Sequence, residues 1–217
     1  MVNNSIDIIS AIRRPFTNIQ NLAIGLILFN VPIINIFAPA YFFRCIRGTY
    51  LGHTFLPDWK DIKNFMKDWV IMFVIGLIYM IIPIGFALLF FKNFSNLFES
   101  INQISLEIAS ISDIILLILS NKLFLVFVLI VAIAVYFMNM TYLVVNDKRI
   151  KKISANIILK KAFTMRYFIG FISITAVELV LGSIISMIPI VGQGISNFLL
   201  GVISFTLFAQ VYLTISK

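Results

Sequence analysis

Four stretches of the chain are apolar over 22 residues or more and carry almost no charge. A helix needs about 20 mostly apolar residues to cross the roughly 30 Å hydrocarbon core of a bilayer, so each stretch predicts a transmembrane helix. Glu178 is the one charged residue within them. The predicted spans are Trp69–Phe91, Leu123–Asn146, Tyr167–Ile188 and Ile195–Ser216.

A fifth apolar region, Ile19–Phe43, is interrupted by Asn30 and Pro32 and then by Asn35 and Pro39. Proline removes a backbone donor and kinks or ends a helix. Each half of the region would be about 20 Å long as a helix, which is too short to cross a bilayer. The sequence therefore predicts either a re-entrant hairpin or one broken span.

The distribution of Lys and Arg predicts which side of the membrane each loop occupies, because these residues favour the cytoplasmic side. A hairpin leaves only Lys92 and Lys122 outside, whereas a broken span places Arg13 and Arg14 there as well. The hairpin agrees better with the rule. Both alternatives predict a multi-pass plasma-membrane protein with its basic loops and C-terminus in the cytoplasm.

Two short sequence patterns recur in the two halves of the chain. RPFT at residues 14–17 precedes the first apolar region, and KAFT at residues 161–164 precedes the third predicted span. VPII at residues 31–34 and IPIV at residues 188–191 follow at the next breaks. These patterns indicate either an internal repeat of helix, Pro-Ile turn and helix, or a chance match in Ile-rich sequence.

Amphipathic segments flank the predicted spans. A short interfacial helix is predicted to begin at Leu56–Trp59, with Asp58 as its cap and an apolar face that ends at Trp69. The basic segment Ile150–Arg166 predicts a second helix at the lipid surface. Between the first two spans, apolar residues recur at alternating spacings of four and three, which predicts a helical seam. This seam either packs on the membrane surface or the helical bundle, or it joins copies of the chain into an oligomer. Its residues are Leu97, Ile101, Ile104, Ile108, Ile111, Ile115 and Ile118.

Composition agrees with a membrane protein, since the chain is 61% hydrophobic and only 12% charged. Soluble domains are about 25% charged. The net charge of +8 is carried beside apolar segments, so we expect anionic lipid headgroups on the cytoplasmic face as the partner, and no nucleic acid. We expect one polytopic membrane domain, 1–217, with an N-terminal section 1–68, two spans with the external helix in 69–146, and a basic helix with two spans in 147–217.

The fold class that these patterns predict is an all-α membrane protein. It is a helical bundle of four full transmembrane helices plus an N-terminal re-entrant hairpin or broken span, with amphipathic interfacial helices.

Several short motifs resemble a family of small archaeal and bacterial membrane proteins called domain of unknown function 4013. They are an Arg-x-Ile-Arg segment at residues 44–47, a Gly-Leu-Ile-Tyr run at residues 76–79, an Ile-Pro-Ile-Val-Gly turn at residues 188–192, and the element formed by Leu56, Pro57, Asp58 and Trp59. The resemblance covers most of the chain. It implies a membrane location and no established activity.

The sequence shows no catalytic constellation, and we expect no cofactor or metal. It has one Cys and one His, so it lacks a CxxC or His–Glu metal motif. Glu178 is the first candidate, because a carboxylate within a span is costly unless it is protonated or paired. It acts either as a coupling site for a proton or cation, or as a structural carboxyl bonded to Asn139, Gln210 or a backbone carbonyl. Asn197 completes the set of intramembrane polar candidates.

Basic residues form the second group of candidates. Arg44 and Arg47 lie three residues apart, on one helix face, and arginine binds phosphate through a two-donor fork. They recognise an anionic lipid or phosphorylated ligand, or they only anchor the helix at the interface. The other candidates for anion binding are Lys151, Lys152, Lys160 and Lys161.

Three functions remain open at this point. The first is a non-enzymatic membrane module that organises lipids or partner proteins. The second is a small transporter or channel, either monomeric or oligomeric, with a polar path through Glu178, Asn139, Asn197 and Gln210. The third is a lipid-modifying enzyme or its accessory subunit, for which Arg44, Arg47, Asp58 and Asp61 are the available group.

The re-entrant hairpin can be tested with single cysteines at Asn4, Asn64, Ser105, Asn156 and Gln193 in a Cys45→Ala background. We expect an impermeant thiol reagent to label intact cells only at positions 105 and 193. Labelling at position 4 would instead show that the first apolar region crosses the membrane. Labelling of all five positions in permeabilised cells is the control for reagent access.

Overall fold

The computed structural model describes residues 6–31, 35, 37–93, 95–96, 99, 121–150, 153–189 and 191–216. These residues form eight α-helices joined by loops and 3₁₀ turns. The seam predicted at Leu97–Ile118 lies almost entirely outside the described residues, so it stays a prediction. The helices are α1 Ile8–Arg13, α2 Ile19–Asn30, α3 Tyr41–Tyr50, α4 Ile62–Leu89, α5 Lys122–Asn146, α6 Ala155–Ala162, α7 Met165–Ser186 and α8 Gly192–Ile215.

Four of these helices, α4, α5, α7 and α8, are long and apolar enough to cross a membrane. They correspond to the four predicted spans, so the all-α membrane fold class is confirmed. The bounds differ most for α4, which begins at Ile62. The prediction of a separate interfacial helix that begins at Leu56–Trp59 is therefore wrong, and so is the prediction that Asp58 caps it. Asp61 accepts a hydrogen bond from the backbone N–H of Asn64 instead.

The chain divides into two compact units. The first comprises Met1–Val74 and Asn139–Lys217, and the second comprises Ile75–Met138. The second unit contains most of α4 and α5, and its aromatic contacts include Phe86 with Phe127, whose ring centroids are 6.4 Å apart. The first unit contains the remaining helices and every site considered below.

Helix α8 is the centre of the first unit, because over half of its span is buried whereas α7 is almost entirely exposed. The N-terminal segment runs antiparallel to α8, from Asp7 beside Gln210 to Asn30 beside Gly194. Helix α3 then returns in the opposite direction, and the rings of Tyr50 and Tyr212 lie 5.5 Å apart. The chain therefore enters and leaves at the same end of α8, where α8 itself ends. This path is the one that a hairpin requires, and its re-entrant placement in a bilayer stays a prediction.

The two RPFT-like segments have the same local geometry. The Thr17 hydroxyl donates to the Arg14 carbonyl at 2.8 Å, and the Thr164 hydroxyl donates to the Lys161 carbonyl at 2.8 Å. A capped helix precedes each segment, since Asp7 caps α1 and Ser154 caps α6. The predicted helix over Ile150–Arg166 is thus shorter than expected, at Ala155–Ala162. The shared geometry supports the internal repeat, although α2 has 12 residues where α7 has 22.

Glycines let the hairpin approach α8 closely. A Cβ atom at Gly25 would lie 2.2 Å from the ring of Phe198, and one at Gly201 would lie 2.1 Å from the ring of Phe42. Those rings belong to one core cluster with Phe29, Tyr41, Cys45, Leu56 and Val202. Trp59 stacks on Tyr41 with a centroid distance of 4.0 Å and so packs against this cluster.

We expect Gly201→Ala to destabilise the first unit by about 1–3 kcal/mol, because the new methyl group must displace the Phe42 ring from a packed core. The measurement is thermal unfolding of the purified protein in detergent. Gly85→Ala is the matched control, since no atom lies within 4 Å of a Cβ there. That control should be neutral or stabilising by up to about 1 kcal/mol. Equal melting temperatures for the two variants would contradict the close contact.

Candidate functional site

A groove of about 780 Å³ lies between α1, α7 and α8 in the first unit. Its walls are apolar, and isoleucines 8 and 12 close one side. Gly170 allows α7 to approach α8, because a Cβ there would lie 3.1 Å from the Val211 methyl groups. We call this feature the α7–α8 groove. A volume of this size is typical of small-molecule sites, which are mostly apolar with a few placed polar groups.

Glu178 lines the α7–α8 groove and is half-buried. Its carboxyl group is hydrogen-bonded to the Ser204 hydroxyl of α8. This partner differs from the side chains that the sequence suggested, since Gln210 bonds to Asp7 and Ser10 and the Oδ1 atom of Asn139 has no partner among the described groups. The pairing satisfies part of the hydrogen-bonding capacity of a polar group within a span.

The other intramembrane polar candidates lie apart from Glu178. Gln210 bonds to Asp7 and Ser10 of the N-terminal segment. Asn139 is buried, and its Oδ1 atom has no hydrogen-bond partner among the described groups. Asn197 is exposed. The contacts of the described residues thus do not join the four side chains into the continuous polar path that a transporter was predicted to need.

Several basic side chains gather where α8 ends, and we call this region the basic end. Arg13, Lys160 and Arg166 are exposed there. Lys161 is engaged, because its Nζ donates to Ser216 and lies 4.5 Å from the centroid of the Tyr212 ring. Lys151 and Lys152 lie outside the described residues. Arg166 is also part of the α7–α8 groove, so the groove opens onto the basic end.

Arg14 is the functional candidate that sequence reasoning missed. The residue is only 1% exposed, although the sequence pattern predicted a solvated cytoplasmic cation. Its Nη1 atom donates to the Cys45 carbonyl, Thr49 and Thr206 at 2.6–3.0 Å, which ties the N-terminal segment to α3 and α8. Burial lowers the pKa of Arg14. The signal available in the sequence was Gly48, whose missing side chain leaves room for the guanidinium, since a Cβ there would lie 2.6 Å from Nη2.

Arg47 forms a two-donor ion pair with Asp68, with N–O distances of 2.9 and 2.5 Å. Its Nε atom donates to the Asn146 side chain at 2.7 Å. The Asp68 side chain is only 4% exposed. The guanidinium fork of Arg47, for which phosphate binding was one of two alternatives, is therefore occupied by a carboxylate, and it joins α3 to the first turns of α4 and the end of α5.

Arg44 is also engaged within the protein. It donates to the backbone carbonyls of Asp58 and Asp61, and its guanidinium lies 5.4 Å from the centroid of the Phe65 ring. These bonds hold the loop that contains Leu56, Pro57, Asp58 and Trp59, which we call the family-motif loop. The Tyr41 hydroxyl of α3 also donates to the Pro57 carbonyl of this loop. Of the four residues proposed for an enzyme site, the structure brings Arg44, Asp58 and Asp61 together, whereas Arg47 pairs with Asp68. The contacts of Arg44 hold the family-motif loop in place.

Cys45 is fully buried beside Arg14. Burial raises the pKa of its thiol to about 11. No group of three or more His, Cys, Asp or Glu side chains that could hold a metal ion occurs in the part of the chain that the structure describes.

A family model described as "Protein of unknown function (DUF4013)" matches residues 24–190. The chain belongs to this family. The match contains α3, the family-motif loop, α4, α5, α6 and α7, and it includes both Arg47 and Glu178. The resemblance found from the short motifs is thereby confirmed. With four apolar helices, the family member is a multi-pass membrane protein.

None of the curated proteins matches the chain, and no solved structure matches it.

We expect Asp68→Asn to destabilise the protein by about 1–3 kcal/mol, because hydrogen bonds to charged groups are stronger than neutral ones and Arg47 would lose its countercharge. Thermal unfolding in detergent measures this change. Asp58→Asn is the matched control, since its side chain is 58% exposed and lies 3.9 Å from Arg44. Such exposed pairs contribute little. A control variant that lost as much stability as Asp68→Asn would show that the Arg47 ion pair has no special structural role.

Proposed function

We propose that this protein is a non-enzymatic membrane module that organises anionic lipids at its basic end, which faces the cytoplasm. The observation that carries the proposal is the arrangement of exposed side chains at the junction of α6 and α7. There the exposed cations Lys160 and Arg166 flank Phe163, which is 77% exposed, and Met165, which is 69% exposed. Surfaces that bind anionic bilayers typically combine two kinds of side chain. Apolar side chains insert into the membrane interface, and neighbouring cations bind the lipid phosphates.

Some cations of the protein are engaged in internal contacts and others are exposed, and this difference supports the proposal. Arg14, Arg44, Arg47 and Lys161 are committed to contacts within the fold. Arg149 is paired with Asp147 at 2.7 Å. Arg13, Lys160 and Arg166 are exposed and form no ion pair with the described residues, so their charge is available to lipid phosphates.

Helix α1 adds a second surface of the same kind. It exposes Ile8, Ile9 and Ile12 and ends at Arg13. Because α1 and α6 have equivalent caps and are followed by equivalent Thr–carbonyl bonds, the basic end contains two related interfacial helices. A pair of such helices would fix the depth of the first unit in the cytoplasmic leaflet and collect anionic lipids around it.

A second candidate is the small transporter or channel with Glu178 as its coupling residue. The observation that favours it is the Glu178–Ser204 hydrogen bond within two spans. Because Asn139, Asn197 and Gln210 lie apart from this pair among the described residues, the lipid-organising function has the stronger support.

The proposal predicts that the purified protein enriches anionic lipid from a mixture. In mixed micelles with equal phosphatidylglycerol and phosphatidylcholine, native mass spectrometry should show mainly phosphatidylglycerol bound. The double variant Arg13→Gln/Lys160→Gln should reduce this preference by about fivefold for each cation, since a cation near an anionic surface contributes about 1 kcal/mol. Raising the salt concentration should weaken the wild-type preference as well.

Lys92→Gln is the matched control for this experiment. It removes one positive charge, as each substitution of the double variant does, from an exposed position that the charge rule places on the opposite side of the membrane. Its lipid preference should equal that of the wild type. An unchanged preference in the double variant, or an equal loss in Lys92→Gln, would refute the role of the basic end.

A further inference from the structure

The α7–α8 groove has the length of a lipid chain. From Arg166 to Leu181 it follows 15 residues of α7, which is about 22 Å at 1.5 Å per residue. One leaflet contributes about half of the roughly 30 Å hydrocarbon core. A groove that opens at the basic end therefore reaches the middle of the bilayer and extends about one helical turn beyond it.

The charges in the groove are separated along its length. Arg166 is the one cation among its lining residues, and it is exposed at the basic end. Glu178 is the one acid, about 18 Å deeper along α7, and it is bonded to Ser204. Between them the walls are formed by side chains such as Ile169, Ile174 and Val177. An occupant that complements this pattern has an anionic group at one end and hydrocarbon along the rest.

The position of Glu178 fits the end of such a hydrocarbon chain. A chain that starts from the cytoplasmic leaflet ends near the bilayer centre, which is the depth that Glu178 and Ser204 occupy when Arg166 lies at the interface. A carboxyl group that hydrogen-bonds to a serine costs less there than an unpaired one. The pair thus closes the apolar section of the groove at about the point where a chain from that leaflet stops.

We propose that the α7–α8 groove binds one anionic glycerophospholipid of the cytoplasmic leaflet. Its headgroup phosphate pairs with Arg166, and one acyl chain lies along α7 and α8 as far as Glu178. This inference rests on the proposed function, since it assigns a defined site to one of the lipids that the basic end attracts. It adds a specific, chain-recognising contact to the nonspecific attraction of the surface.

The test compares two tryptophan variants on neighbouring turns of α7. Val177→Trp places the new side chain in the groove, whereas Val180→Trp places it at a position of similar exposure that does not line the groove; Val177 is 57% exposed and Val180 is 62% exposed. After extensive delipidation in detergent, the wild type and Val180→Trp should retain one 1-palmitoyl-2-oleoyl phosphatidylglycerol molecule in native mass spectrometry. Val177→Trp should bind it at least tenfold more weakly.

Arg166→Gln tests the headgroup contact in the same assay. Binding of phosphatidylglycerol should weaken about fivefold, which corresponds to the contribution of one cation near a phosphate. Lys148→Gln is its control, because Lys148 is exposed and lies outside the groove. Equal effects of Arg166→Gln and Lys148→Gln would overturn the assignment of the headgroup.

A photolabelling experiment keeps the inference testable if Val177→Trp unfolds. Wild-type protein is irradiated with phosphatidylglycerol that carries a diazirine at the end of one acyl chain, and the labelled residues are mapped by peptide mass spectrometry. Labels should concentrate on α7 and α8 around Glu178 and Ser204. Labelling spread evenly between the groove-lining residues of α7 and exposed residues that do not line the groove, such as Leu179, would show only annular lipid and would overturn the site.

The two proposals fail in different ways. If Arg13→Gln/Lys160→Gln leaves the lipid preference unchanged, the surface function fails, while the Val177→Trp comparison still decides whether the groove holds a lipid. If Val177→Trp and Val180→Trp retain lipid equally, the groove site fails, while the surface function is unaffected.

Discussion

The packing of short N-terminal helices on one long, glycine-containing helix is the constraint on which the first unit depends. Neither α2 nor α3 is long enough to cross a bilayer, so the backbone groups at their ends must be satisfied within the protein or at its surface. Helix α8 provides the partner, because Gly194 and Gly201 let Asn30 and Phe42 lie directly against its backbone. Van der Waals contact of this kind is the main source of helix association in lipid, where burial against apolar neighbours gives little net gain.

The buried arginine fits this arrangement. Arg14 lies where the N-terminal segment, α3 and α8 meet, and it donates to groups on two of these helices. The described part of the chain gives it no ion pair, so hydrogen bonds from Nε and Nη1 compensate part of the burial of its charge, while Nη2 has no hydrogen-bond partner among the described groups. Such a group specifies one arrangement of the helices, because any shift leaves several donors unpaired. The same residues that define the hairpin thereby also fix the edge of the α7–α8 groove, since α1 ends just before Arg14.

Hydropathy was sufficient to predict the spans, since an apolar run of more than 20 residues has few alternatives to a transmembrane helix. The start of α4 was not predictable in the same way. Asp58 and Asp61 are both acceptable caps by residue type, and the contacts of Arg44 with the loop carbonyls favour a helix that begins after Asp61. The sequence also did not predict which side chains on different helices would contact one another. Nothing in the spacing of residues 178 and 204 indicates that their side chains meet, and the charge rule treats Arg14 like any other interfacial cation.

The central position of α8 has a consequence for biosynthesis. Helix α3 emerges from the ribosome about 165 residues before α8 is complete, and α1 about 200 residues before. At the usual rates of 5–20 residues per second, they wait roughly 10–40 s for the helix against which they pack. During this interval Arg14 has neither Thr206 nor a closed core around it. The N-terminal segment and α3 must therefore remain without their main packing partner until the last helix has been made.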